Sequence, residues 1–141
     1  MPLNFAVAAS LLLLGLPGHE AACSKPSNAI ARTNMTGHLV TFAVWYPVPI
    51  HMGACQWSKY PDTFKRRSNK HRFRVIIGTD DRNFVVEYIC LDIGKQPKIE
   101  TVIYTKSERP RALVIKQIVS VHTKVGLDES KIWYCKPQRK K

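Results

Sequence analysis

The chain has 141 residues, a net charge of +12 from 22 Lys and Arg against 10 Asp and Glu, and four cysteines. Its length suits a single domain, and no apolar run reaches the 18 residues of a membrane-spanning helix. No nucleophile elbow, metal motif or paired carboxylates stand out, so an enzyme is not expected.

Residues 5–16, FAVAASLLLLGL, form an apolar run of 12. That is too short to cross a bilayer and about right for the core of a signal peptide. Pro17-Gly18 ends the run sharply. Cleavage fits after Gly18 or after Ala22, leaving a single secreted, extracellular domain over 23–141 with a basic tail at 136–141. Cys23, Cys55, Cys90 and Cys135 all fall in that domain and read as two disulfides, with three connectivities open. Each bridge would close a long loop, constraining the unfolded chain by about 3–5 kcal/mol. There is no C-x-x-C pair, and the five histidines show no ligand spacing, so neither a metal nor a cofactor is expected. Asn34-Met35-Thr36 is an acceptor tripeptide for N-glycosylation.

Residues 39–46, LVTFAVWY, are β-branched and aromatic and predict a strand, stopped by Pro47 and Pro49. A short strand is expected from Cys55 to Tyr60. The stretch FKRRSNKHRFR follows, with Lys65, Arg66, Arg67, Lys70, Arg72 and Arg74 and no acid. Phe73, Val75 and Ile77 then alternate in a strand that ends at the polar turn TDDRNF, residues 79–84. The next strand, FVVEYICLDI (84–93), is largely apolar on both faces, so something must cover each. A third strand, IETVIYT (99–105), comes after a turn at 94–97.

The period then changes to that of a helix. Val114, Ile118, Val121 and Val125 recur at i, i+4, i+7 and i+11, with Pro110 suited to the first turn and Gly126 to the stop. A short extended piece, KIWYC (131–135), ends at Cys135.

In its motifs and their order the chain resembles the lipocalins. Ala43-Val44-Trp45-Tyr46 stands for the family's Gly-x-Trp on the first strand. Thr79-Asp80-Asp81-Arg82-Asn83-Phe84 matches its Thr-Asp turn between the sixth and seventh strands, leading to Tyr88-Ile89-Cys90. Lys106 takes the place of the arginine that closes the last barrel strand. The cysteine layout is similar to that of insect and apolipoprotein D-like members, which implies the pairs Cys23–Cys90 and Cys55–Cys135. The resemblance implies a mainly β fold: an antiparallel barrel with one C-terminal helix packed outside. Cys55 and Cys90 lie too close in sequence for eight strands, since strands take about 5–6 residues before turns are added. The expected barrel is therefore shortened and open, whether naturally or by truncation.

The resemblance further implies a secreted carrier of a small hydrophobic ligand such as a lipid, retinoid or pigment. Val85, Glu87 and Ile89 are expected to face inward, with Phe73 and Val75, and Glu87 to orient a polar end of the ligand. Trp45 is expected to plug the barrel floor under Lys106, while Thr79 and Asp80 build the turn. A second reading rests on charge alone. The basic run Lys65–Arg74 and the tail could bind polyanions such as glycosaminoglycans, or anionic membrane surfaces, whereas export argues against a specific nucleic acid.

Overall fold

A computed structural model describes residues 23–61, 72–92 and 94–138. The expected leader, Lys65, Arg66, Arg67 and Lys70 of the basic run, and tail residues 139–141 lie outside the described residues. The elements are β1 (Gly37–Trp45), β2 (Gln56–Tyr60), β3 (Arg72–Thr79), β4 (Phe84–Leu91), β5 (Lys98–Thr105), α1 (Ala112–Lys124), a 3₁₀ turn (Glu129–Lys131) and β6 (Ile132–Tyr134). The strands form one antiparallel sheet in the order β2-β1-β5-β4-β3, and β6 pairs with β1. Among the described residues nothing joins the edges β2 and β3, so the barrel is open.

β4 lies inside the sheet and is buried from Phe84 to Cys90. Successive side chains of a strand point to opposite faces. Phe84, Val86, Tyr88 and Cys90 therefore join Ile103, Ile77 and the helix residues Val114 and Ile118 in one core. Val85, on the other face, joins Met35, Leu39, Tyr60 and Ile76 in a second, smaller core. The doubly apolar strand of the sequence thus has a cover on each face.

α1 docks through Val114, Ile118 and His122, one residue per turn. Gly78 allows the helix to sit close, because a Cβ there would stand 2.8 Å from Val121 Cγ1. The sheet adapts at the same point, where the β3–β4 register shifts between Ile76 and Gly78. His122 is buried, with Nδ1 2.7 Å from the Ile118 carbonyl and Nε2 2.7 Å from Thr101 Oγ1. The carbonyl only accepts, so Nδ1 carries the proton and Nε2 accepts from the threonine hydroxyl. Burial, opposed by that carbonyl, pushes the His122 pKa down.

Cys23 is bonded to Cys90 and Cys55 to Cys135. The second bridge holds the chain after β6 against the chain before β2, where Cys55 N–H donates to the Lys136 carbonyl at 3.0 Å.

One expectation is corrected by register. β1 and β5 are antiparallel, with Val40 opposite Thr105 and Trp45 opposite Thr101. Lys106 therefore lies at the start of β1, and Trp45 lies at the far end, where its Nε1 donates to the Asp128 carbonyl at 2.9 Å. Trp45 is no floor plug, and Lys106 does not cover its ring. The segment beside Lys106 is Gly37-His38-Leu39, with Leu39 buried where the family's tryptophan was expected.

Two measurements check this packing. Gly78→Ala should destabilise the protein by about 1–3 kcal/mol in urea unfolding, as overpacking does, and Val121→Ala in the same chain should recover part of that loss. Neutral His122 is favoured in the folded state, so its contribution is complete above its ordinary value of 6.5 and is lost as pH falls through the lower folded value. Unfolding midpoints should drop on acidification across that window, and His122→Gln should flatten the dependence.

Candidate ligand-binding site

The turn between β3 and β4 fixes one end of the site. Asp80 Oδ1 accepts from the N–H groups of Arg82, Asn83 and Phe84 at 2.9, 2.6 and 3.2 Å. Burial works against its charge, but those donors outweigh burial and hold the carboxyl below the usual range. Thr79 Oγ1 donates to the Phe84 carbonyl at 2.7 Å and accepts from Asp81 N–H at 2.9 Å. Asp81 adopts φ 60, left-handed backbone that Asp tolerates better than most residues. Its carboxylate thereby reaches outward to accept from Thr33 Oγ1 at 2.7 Å and from Asn34 N–H at 3.0 Å.

Those last two contacts anchor a strap made by the N-terminal segment. The Cys23–Cys90 bridge ties its start to β4. Between these anchors the strap crosses the free edge of β3. Asn28 Nδ2 donates to the Ile77 carbonyl at 3.0 Å, and Ile30 N–H donates to the Ile76 carbonyl at 2.7 Å. Met35 then turns into the inner core. An edge strand that would expose unpaired backbone groups is thus partly covered.

Beneath the strap is a cleft of about 420 Å³. Lys25, Pro26, Ser27, Ala29, Ile30 and Ala31 form one wall, and Arg74, Val75, Ile76 and Glu87 the other. Its volume is in the range of small-molecule sites. At its base the Glu87 side chain is 1% exposed and that of Arg74 is 24% exposed. Arg74 Nε donates to Glu87 Oε2, Tyr60 OH donates to Glu87 Oε1 at 2.6 Å, and Arg74 Nη2 donates to Tyr104 OH at 2.8 Å. Burial and the bond to Glu87 push the Tyr60 phenol far above its ordinary range, so it remains a donor. Burial opposes the charge on Arg74, but Glu87 and Tyr104 outweigh it and raise the pKa. A buried carboxylate is costly unless paired and hydrogen-bonded, and here it is both.

Val85, Glu87 and Ile89 share the inner face, Val85 in the small core and Ile89 opposite Arg74. Phe73 and Val75 do not join them, which corrects the expected set. Their register places them opposite Cys90 and Tyr88, on the helix-facing side, and Phe73 stacks on Tyr88 at 6.2 Å between ring centroids. Val75 still borders the cleft, because β3 is the sheet edge there. Arg72 and Arg74 face inward on β3, and Arg74 is committed to Glu87, so it is not part of an exposed basic run. Asn34 is exposed on the strap, and its backbone is held by Asp81. The strap wall carries no sequence signal as part of a site. Tyr60 does so only as an aromatic upstream of the basic run, and Tyr104 only as a member of the strand 99–105, two residues from Val102, the β5 partner of Glu87.

No protein-family model and no curated protein matches the chain in sequence. Solved structures do match in fold. H1 crustacyanin from the lobster Homarus americanus shares 14% identity at a TM-score of 0.56, over 83% of this chain and 88% of that one. Apocrustacyanin C2 shares 14% at 0.54, over 77% and 80%. The siderocalin Ex-FABP, described as functioning through dual ligand specificities, shares 9% at 0.52, over 77% and 97%. The fold is lipocalin-like, mainly antiparallel β with one C-terminal helix and an open barrel.

The base of the cleft is open to a direct stability test. Glu87→Ala leaves the Arg74 guanidinium without its carboxylate and should cost about 3 kcal/mol in urea unfolding of the disulfide-intact protein. Replacing both Arg74 and Glu87 with Leu should cost less than that single change.

Proposed function

We propose that the protein is a secreted carrier that holds a small, largely apolar ligand in the cleft between the strap and β3. One observation carries this reading: a cleft of about 420 Å³ whose base is a fully engaged Glu87–Arg74 pair and whose walls include Ile30, Ala29 and Ile76. Such a site offers apolar contact from Ala29, Ile30 and Ile76 next to polar groups held in place, and ligand pockets combine the two. The fold is a second support, since the siderocalin neighbour is described by its ligand specificities. Export is supported by the two disulfides, which persist in oxidising compartments. The same pair supports placing the chain with the insect and apolipoprotein D-like lipocalins.

Titration with the neutral fluorescent probe N-phenyl-1-naphthylamine, alongside native mass spectrometry, tests the proposal. One probe should bind per chain, saturably. Ala29→Trp, which fills the cleft without touching the Glu87 network, should weaken binding at least about tenfold while leaving the unfolding midpoint within a few degrees. No saturable binding, or unchanged binding in Ala29→Trp, overturns it.

A further inference from the structure

We infer that the ligand of this cleft is an anionic amphiphile, a short apolar chain ending in a carboxylate or a similar single negative charge. This inference rests on the carrier reading and narrows it to a ligand class. Three charged side chains line the cleft: Lys25, Arg74 and Glu87. Both oxygens of Glu87 are taken, one by Tyr60 and one by Arg74, and the side chain is 1% exposed. Its negative charge is spent on the guanidinium and presents almost no surface to an incoming group. Lys25 is on the exposed strap and has no acidic partner among the described residues. With Glu87 and Arg74 neutralising each other, the net charge of the cleft lining is the positive charge of Lys25.

The apolar half of the ligand is accounted for separately. Ile30 is 39% exposed although it is pinned to β3 by its backbone, and with Ala29, Ala31 and Ile76 it gives the cleft an apolar wall beside the charged groups. At about 30 Å³ per water, 420 Å³ equals about 14 water volumes, room for roughly a dozen non-hydrogen atoms rather than a polymer. A cationic amphiphile meets Lys25 and a molecule of net charge +12. A neutral one gains the apolar wall but no ion pair. A single anion on a short chain uses both.

Calorimetric titration with octanoate, octanol and octylammonium at pH 7.4 tests the inference. These share a chain and differ in the head. Octanoate should bind about tenfold tighter than octanol, lose most of that advantage at 0.5 M salt, and outcompete octylammonium altogether. Lys25→Gln should bring octanoate to the affinity of octanol and leave octanol unchanged. Equal binding of octanoate and octanol, or no effect of Lys25→Gln, overturns the ligand class while the carrier reading stands. If none of the three binds but the neutral naphthylamine does, the ligand class again fails alone. If nothing binds, both fail.

Discussion

β4 is buried on both faces from Phe84 to Cys90, and the rest of the molecule is arranged to supply two covers. The outward face takes α1, whose contact residues recur at helical spacing, and Gly78 lets it approach. The inward face takes Tyr60 from β2, Met35 from the strap and Ile76 from β3. A strand covered on one side only would leave either Val85 or Val86 in water, at about 1.5–3 kcal/mol each. β4 therefore fixes the positions of the helix and of the strap together, and the cleft is a by-product of that second placement.

A polar network sits in the inner cover, where an apolar cluster would have served stability as well or better. Desolvating Glu87 and Arg74 costs several kcal/mol per ion before their attraction and hydrogen bonds offset it. Such a network in an open barrel fixes register instead. Tyr60, Arg74, Glu87 and Tyr104 come from four strands, and a slip of one residue in any of them would turn its member to the opposite face. The four groups thus hold β2, β3, β4 and β5 in one alignment without a closed ring of backbone pairing.

Much of this was legible in the sequence because it depends on local spacing. The period of two through 73–77 and 84–91, and the period near four from Val114 to Ile118, are written in neighbouring residues. Alternation along β4 sets Val85, Glu87 and Ile89 on the face opposite Cys90. Two features depend on long-range register, which residue type does not reveal. Trp45 was matched to the first-strand motif by its residue type, but pairing of Val40 with Thr105 gives that position to Leu39. The resemblance implies an inward Phe73 and Val75, while their partners Cys90 and Tyr88 set them outward. The strap was invisible for another reason. Residues 23–36 show no periodicity, and it is the Cys23–Cys90 bridge, the edge of β3 and Asp81 that give them a course.

The two disulfides interleave along the chain, joining residues 67 and 80 apart, with Cys55 inside the first loop and Cys90 inside the second. Pairing sequence neighbours instead would close loops of about half that length, and each halving lowers the entropic cost by about 0.6 kcal/mol. The unfolded chain is thus biased towards the wrong bridges. The correct ones become favourable only after β4 has found β3 and β6 has found β1, when Cys23 and Cys135 are delivered to partners far away in sequence. In oxidative folding, then, the sheet selects its cross-links, and the bridges act as a lock on an arrangement already made by side-chain burial.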